Sequence, residues 1–370
     1  MTKVSLIKRY KCKNLPRRSL LGSFLRRRTS VTRPYMRDIE LPRKILIGKD
    51  VIYKVDEIVS ELDRAGRPLI LCGKTSKVIA GDVVSEKLKH PVYIINDLSI
   101  DEYNLIHRHV HESEIRYVIG IGGGHILDLG KIIAYENKVP FISVPTVASH
   151  DGIASPRASP KIGQSISVQV HCPLAIIADT KIISKAPKRL LASGIGDVVS
   201  NYTAVLDWQL AHKEKNEYYS DYAATLSKMS AEIVMDNTDK VDCNITILVE
   251  ALISSGIAIA IAGTSRPCSG AEHMFSHTLD LICERSALHG EQCGLGSILT
   301  AYLHDSVWKR IRSSLKKSGA PTTAKEIGIP VGKIIEALVK AHKIRKRYTI
   351  LREGISEKKA IEAAEETGII

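Results

Sequence analysis

The sequence is poor in aromatic side chains, which make up 5% of its 370 residues. This scarcity argues against a surface on which nucleic-acid bases stack. The chain also lacks any apolar run near the ~20 residues that a membrane-spanning helix needs. Its longest run, ALISSGIAIAIAG at 251–263, is interrupted by serine and glycine and predicts a buried helix. We therefore expect no nucleic-acid partner and no transmembrane segment.

Paired cysteines are missing as well. The seven cysteines are odd in number, and no two are spaced as CxxC. This pattern disfavours a disulfide framework and a structural zinc ribbon. It favours a reducing compartment, and we expect a cytoplasmic protein.

Acidic residues are absent from residues 1–36, which hold 11 Lys or Arg and account for all but +2 of the formal net charge of +13. The basic excess is therefore a terminal extension and not a property of the remaining chain. Three interpretations are open: a disordered basic arm that touches nucleic acid or an anionic membrane, an amphipathic surface helix, or an upstream extension with Met36 as the working start. We favour the last, because sequence typical of a folded domain begins just after it.

Short apolar runs alternate with helical patterns between residues 43 and 180. The runs are KILIG, PLILCG, VYIIND, YVIGIG, FISVP and LAIIAD. Strands rich in Ile and Val and separated by helices are typical of a parallel sheet covered on both faces. From about 185 the apolar periodicity is helical. We expect an α/β protein with a Rossmann-like parallel-sheet domain at 37–184, an all-helical domain at 185–370, and the active site in the cleft between them.

A run of glycines follows one strand in the segment RYVIGIGGGHILDLGKIIAY. Gly122, Gly123 and Gly124 permit positive φ and let backbone N–H groups approach a ligand. The helix expected to begin near Ile126 points its positive dipole end at the same place, which suits a pyrophosphate. The spacing is not GxGxxG, because His125 stands where the last glycine is needed, and no GK[ST] follows. A dinucleotide site is our hypothesis, and a tight turn without a ligand is the alternative.

Polar side chains crowd the chain just after the strand FISVP. They are Thr146, Ser149, His150, Asp151, Ser155 and Arg157. Doubly wound sheets bind ligands at the carboxyl ends of their strands. This segment is therefore a second candidate for ligand binding, and the alternative is a solvated loop.

Three histidines, His273, His277 and His289, lie in SGAEHMFSHTLDLICERSALHGEQCG. The first two share one face if the segment is helical, and Glu272 is expected to project to a different face. Three ligands with an open position are typical of a catalytic metal, yet a histidine taken singly more often has a core or surface role. Asp197, at the start of an apolar helical pattern, is either the missing carboxylate ligand or a simple helix-terminal acid.

Five segments, taken in order and spacing, resemble the sn-glycerol-1-phosphate dehydrogenases of archaea. They are GGGHILD, ISVPTVASHDGIASP, GIGDVVSN, SRPCSGAEHMFSH and ALHGEQCG. That family belongs with iron-type alcohol dehydrogenase, glycerol dehydrogenase and dehydroquinate synthase. The resemblance runs from about residue 41 to 351. It implies reversible hydride transfer between NAD(P)H and dihydroxyacetone phosphate, giving sn-glycerol 1-phosphate for archaeal membrane phospholipids.

The site residues of that family fall on matching positions of this chain. The resemblance implies metal ligands at Asp197, His273 and His289. It implies substrate contacts at Asp151, Asp197 and His277, of which Asp151 and His277 are the catalytic candidates. Dinucleotide contacts are expected at the glycine cluster and in the segments after it: Gly122, Gly123, Gly124, His125, Ile126, Leu127, Asp128, Thr146, Val147, Ala148, Ser149 and Ser155.

A divalent ion held by two imidazoles and one carboxylate keeps a net positive charge, which stabilises the alkoxide that develops from a ketone. We expect zinc, because polarisation needs no redox change, although the same ligands suit Fe(II). The strand PLILCG is followed by Lys74 and Thr75 and not by the acid typical of NAD-preferring enzymes. NADPH is therefore expected alongside NADH.

The substrate phosphate needs a cation, for which Arg266 and Arg157 are candidates, whereas Lys131 is expected to face solvent on its helix. We expect a small-molecule substrate and a homo-oligomer. Two rival functions stay open. One is a sister activity, glycerol dehydrogenase or dehydroquinate synthase. The other, which depends on the basic extension alone, is a nucleic-acid-binding protein.

Overall fold

The computed structural model describes residues 38–62, 65–96, 99–159, 167–240, 244–284 and 287–370. The basic extension, with its three open interpretations, lies outside the described residues. Ile39–Ile370 form one compact unit. Among the helices of the described chain, none combines the length and the apolar character needed to span a membrane.

The strands all lie in the first half of the chain. They are β1 (Lys44–Gly48), β2 (Arg67–Gly73), β3 (Val92–Ile95), β4 (Ile115–Gly122), β5 (Phe141–Pro145), β6 (Arg157–Ala158), β7 (Val168–Gln169) and β8 (Ala175–Asp179). Six of them form a parallel sheet in the order β1-β8-β5-β4-β2-β3. β6 and β7 form a separate antiparallel pair. The carboxyl ends of the six parallel strands therefore meet along one edge.

Helices cover the sheet and connect its strands. They are α1 (Val55–Glu61), α2 (Lys74–Ser76, continued by the π-helical turn Lys77–Gly81 and by Asp82–Leu88), α3 (Ile100–Glu112), α4 (Gly124–Glu136) and α5 (Thr180–Ile183). Alternate residues of β2 enter different cores: Leu69 and Leu71 pack on one face of the sheet, Ile70 and Cys72 on the other. Because both faces are buried, the strand reads as a continuous apolar run.

The remainder of the chain is helical. Its helices are α6 (Lys188–Lys215), α7 (Asp221–Asp236), α8 (Thr246–Ala262), α9 (Ala271–Ile282), α10 (His289–Leu303), α11 (Trp308–Lys317), α12 (Ala324–Ile327), α13 (Val331–Lys340) and α14 (Glu357–Glu366). α8 is apolar on nearly all sides and is buried, as such helices are.

The predicted fold class is confirmed. All six predicted strands occur, and all six belong to the parallel sheet. The apolar run at 251–263 is a buried helix, as predicted. The β6–β7 pair was not predicted, because two-residue strands leave no alternation in the sequence. The proposed domain boundary falls between α5 and α6, and it stays a prediction.

α6 and α10 cross at a point where both helices carry glycine. A β-carbon on Gly290 would lie 1.8 Å from the carbonyl oxygen of Ser193, and one on Gly196 would lie 2.2 Å from that of Gly290. No larger residue fits without moving a backbone. The crossing matters because Asp197 follows Gly196 in α6 and His289 precedes Gly290 in α10. Close backbone contact therefore brings these two side chains together.

Candidate active site

The N-terminus of α4 opens onto a cleft of about 620 Å³. Three glycines lie at this N-terminus, and only Gly122 has a positive φ. Gly123 has an ordinary extended conformation, and Gly124 is the first residue of the helix. The need for glycine at 124 is therefore one of space, since a β-carbon there would lie 1.7 Å from Nε2 of His150. Nothing lies within 4 Å of a β-carbon placed on Gly123. The backbone at the head of α4 is thus open to a ligand.

Lys131 fixes the segment that follows β5, and the expectation that it faces solvent is wrong. It is 1% exposed, because this face of α4 packs under that segment. Its Nζ donates to the carbonyl oxygens of Gly152, at 2.9 Å, and of Arg157. Asp128 lies 2.9 Å from the same nitrogen and accepts a hydrogen bond from the backbone N–H of Ser159. A buried ion pair thus ties the segment to α4.

Asp197, His273 and His289 meet in the cleft wall. Oδ1 of Asp197 lies 3.8 Å from Nε2 of His273 and 3.6 Å from Nε2 of His289. Donor atoms around one zinc ion lie roughly 3.3 Å apart, so small adjustments would let all three bind a common ion. Cys293 belongs to the same cluster, in which the donor atoms all lie within 4.8 Å of one another.

Second contacts orient the two imidazoles. Nδ1 of His273 lies 3.0 Å from Oε1 of Glu272, which leaves Nε2 directed at Asp197. Glu272 is fully buried and also accepts a hydrogen bond from Thr203. Nδ1 of His289 lies 3.2 Å from Oγ of Ser276. A carboxylate or hydroxyl behind a metal-binding imidazole is the usual way in which proteins fix its tautomer and direction.

Asp151 and His277 complete the polar wall. The backbone N–H of Asp151 donates to Oδ2 of Asp197 at 2.9 Å. Burial, reinforced by the negative charge of Asp197, raises the pKa of the Asp151 carboxyl to about 6. Burial also lowers the pKa of His277 to about 3, and the positive charges of Arg345, His273 and Arg347 add to that effect. At neutral pH His277 is therefore a neutral imidazole that can donate or accept a hydrogen bond.

Most of the predicted site residues line this one cleft. They are Gly123, Gly124, His125, Ile126, Asp128, Val147, Ser149, Asp151, Ser155, His273, His277 and His289. The others lie behind its surface: Gly122, Leu127, Thr146, Ala148 and Asp197. Leu127 and Ala148 are fully buried in the main apolar core, so their part in a dinucleotide site is limited to backbone or to packing.

The chain is similar to known proteins along most of its length. A model of the iron-containing alcohol dehydrogenase family matches residues 46–187. A glycerol-1-phosphate dehydrogenase [NAD(P)+] of Methanococcoides burtonii is 48% identical, over 90% of this chain and 96% of its own length. The chain belongs to the glycerol-1-phosphate dehydrogenase family.

A second relative in this family, the glycerol-1-phosphate dehydrogenase [NAD(P)+] of Pyrococcus furiosus, is 47% identical over 90% of this chain and 100% of its own. Solved structures support the fold. A probable glycerol dehydrogenase from Sinorhizobium meliloti superposes with a TM-score of 0.72 at 18% identity, over 90% of this chain and 98% of its own. Glycerol dehydrogenase from Schizosaccharomyces pombe superposes with a TM-score of 0.69 at 20% identity, over 90% of this chain and 94% of its own.

Sequence reasoning on this member of the glycerol-1-phosphate dehydrogenase family missed three residues of the site. Glu272 is in neither the donor cluster nor the cleft lining, but the sequence did not indicate that its side chain would contact Nδ1 of the next residue. Cys293 stands one turn after His289, a spacing visible in the sequence, and joins the donor cluster. Arg345 also lines the cleft, although its segment HKIRKRY reads as a solvated charged stretch.

Proposed function

We propose that this protein reduces dihydroxyacetone phosphate to sn-glycerol 1-phosphate with NAD(P)H and a divalent metal ion. The proposal rests on one observation. The donor atoms of Asp197, His273 and His289 lie close together at the cleft that the N-terminus of α4 also borders. One ligand-binding space thus borders both a place for an anionic cofactor and a place for an ion. The product would serve as the glycerol backbone of membrane phospholipids.

The donor chemistry fits a divalent ion. Two neutral imidazoles and one carboxylate suit zinc and also Fe(II), and we propose zinc. The bound ion supplies a positive charge that polarises the substrate ketone. Asp197, His273 and His289 would hold it, while Glu272 and Ser276 keep the two imidazoles in position.

The cofactor would lie across the open backbone at Gly123, beside Gly124, where the positive end of the α4 dipole favours its pyrophosphate. Lys74 is exposed at the end of β2, where NAD-preferring enzymes often carry an acid. We therefore propose that NADPH is accepted alongside NADH. Titration of both cofactors tests this, and strict use of NADH would contradict it.

Hydride transfer to C2 of the ketone requires one proton for the alkoxide oxygen. Asp151 and His277 border the space in which that oxygen would form. Burial raises the pKa of the Asp151 carboxyl, which favours the protonated form that a proton donor needs. His277, being neutral, can hydrogen-bond the substrate or pass that proton on.

The test is oxidation of NADH by the purified protein with dihydroxyacetone phosphate, followed by determination of the product's configuration. We expect sn-glycerol 1-phosphate. Free dihydroxyacetone is the matched alternative substrate, because preference for it would indicate a glycerol dehydrogenase. Activity with neither ketone would reject the proposal. The cytoplasmic location and the homo-oligomer stay predictions, the second of which sedimentation can measure.

A further inference from the structure

Arg345 stands in the wall of the cleft, in the chain that follows α13. It lines the same space as His273 and His277. Its Nη2 donates to Oγ of Ser269 at 2.6 Å, and Ser269 lies just before α9, which carries both histidines. The guanidinium is therefore held beside the helix that carries the two histidines, near which the ketone would react.

The charge of Arg345 is poorly compensated. Its Nε is buried and has no hydrogen-bond partner among the described residues. No carboxylate of the described chain forms an ion pair with it. Burial, opposed by the negative charge of Glu272 and reinforced by the positive charges of Arg157 and Arg266, lowers its pKa to about 10. A buried donor and a buried cation without a partner are costly, and an anion would satisfy both.

The neighbouring arginines are occupied in other ways. Arg266, one of the two cations expected from the sequence to bind phosphate, is buried outside the cleft lining and forks onto the carboxylate of Glu217. Arg347 donates to the backbone of Ser269 and to Oγ of Ser265.

Arg157, the other expected cation, lines the cleft, but its nitrogens donate hydrogen bonds to Ser167 and Gln169. It contributes its charge and at most one unused N–H, on Nη1, because its Nε and Nη2 donate to Ser167. Among the described arginines around this space, Arg345 combines access to the cleft with an unsatisfied nitrogen.

We propose that Arg345, positioned by Ser269 and aided by the charge of Arg157, binds the phosphate group of the substrate. This inference rests on the proposed function, because that function supplies a phosphate monoester. Guanidinium is suited to the group, since two of its nitrogens can donate to two phosphate oxygens at once. The cofactor phosphates have their own proposed place at the N-terminus of α4, so the cleft would hold the two anions at separate places.

The experiment compares Arg345→Gln and Arg345→Lys with the wild-type holoenzyme on two ketones. For Arg345→Gln we expect KM for dihydroxyacetone phosphate to rise about 100-fold, as for the loss of one or two charge-assisted hydrogen bonds. Activity on free dihydroxyacetone should stay within about threefold, because that ketone has no phosphate to lose. For Arg345→Lys the KM for dihydroxyacetone phosphate should lie between those of the wild type and Arg345→Gln. Lysine keeps the positive charge but cannot donate from two nitrogens to two phosphate oxygens.

Arg312→Gln is the matched control. Arg312 also has a buried Nε without a partner in the described chain and donates to a backbone carbonyl, that of Gly368, but it does not line the cleft. Its substitution should leave KM for both ketones unchanged. Melting temperatures of all variants separate loss of binding from loss of folding.

Inorganic phosphate provides a probe that needs no turnover. Calorimetric titration should show phosphate binding to the wild-type protein and at least tenfold weaker binding to Arg345→Gln at equal metal content. An unchanged KM for dihydroxyacetone phosphate in a folded Arg345→Gln would overturn the inference, as would a rise confined to the KM for NADPH. A wild-type protein that reduces no dihydroxyacetone phosphate would contradict the proposed function. The calorimetric titration with inorganic phosphate would then test the anion site independently of that function.

Discussion

Glu272 and His273 are adjacent in the chain, and their side chains meet: Oε1 of the acid lies 3.0 Å from Nδ1 of the imidazole. Nδ1 therefore carries the hydrogen, and Nε2 is left with its lone pair towards Asp197. Burial raises the pKa of Glu272, but its hydrogen bonds with His273 and with the backbone N–H of Gly270 outweigh this effect, and the pKa is lowered overall. The acid is thus an ionised support for the imidazole and not a ligand.

Glu272→Gln should weaken metal binding about 10- to 100-fold, the usual effect of removing a support behind a metal-binding imidazole. The amide keeps the size of the side chain but loses the charge that favours the Nδ1–H tautomer. Zinc affinity measured by competition with a chelator checks this. Glu291, at the start of α10, is a buried acid that pairs with Arg189. Glu291→Gln is therefore the control. Equal affinity in Glu272→Gln and wild type would contradict the assignment.

Asp197→Asn should abolish turnover and reduce bound metal at least tenfold, because the carboxylate is the sole anionic ligand in the proposed set. Metal content after dialysis and the melting curve are the measurements. Cys293→Ser tests the fourth member of the cluster, and we expect it to keep its metal within about twofold, since two imidazoles and one carboxylate complete a catalytic site. Full activity in a metal-stripped Asp197→Asn would reject the metal centre.

Lys131→Met should destabilise the protein by about 3–5 kcal/mol, the range expected when one partner of a buried ion pair is removed. The substitution leaves the Asp128 carboxylate buried and deprives the carbonyl groups of Gly152 and Arg157 of their donor. Denaturant unfolding measures the change. Lys358→Met, at an exposed position of α14, is the control. A loss below about 1 kcal/mol would show that the pair is not holding the segment.

Glu136 makes stability depend on pH. Burial raises its pKa from 4.5 to about 7, so the folded protein disfavours the ionised form. The stability that this group allows is fully present below pH 4.5 and is lost as the pH rises through about 7. Glu136→Gln should therefore raise the free energy of unfolding at pH 8 by up to about 3 kcal/mol and leave it nearly unchanged at pH 4.5.

Unfolding of Glu136→Gln by urea at the two pH values measures that difference. Glu112→Gln, at an exposed position near the end of α3, is the control, and we expect no pH-dependent gain from it. An equal gain for Glu136→Gln at both pH values would point to packing and not to ionisation.

Much of the fold could be predicted because its strands are short apolar runs between helical patterns. Both faces of β5 and β8 are buried, and both strands appear in the sequence as mainly apolar stretches without regular polar alternation. The metal-site candidates were predictable as a set, since Asp197, His273 and His289 occur in segments that resemble one family. Local signals alone left each of them ambiguous.

The remaining parts of the site depend on contacts that sequence separation hides. Lys131 looked like a surface residue because its partners, Gly152 and Arg157, are more than twenty positions away. Nothing in the sequence singled out Arg345, because the serine that anchors it is 76 residues earlier. Burial of a charged side chain is decided by tertiary packing, and no local pattern reports it.

The glycine crossing of α6 and α10 has a consequence for redesign. Gly196 and Gly290 adjoin the acid and one imidazole of the centre, and neither tolerates an added methyl group without a backbone shift. These two helices form a fixed pivot, so substrate range cannot be widened by moving them apart without dispersing the donors. New specificity has to be built outside these two helices, for example in the chain around Arg345, which lines the cleft without belonging to the pivot.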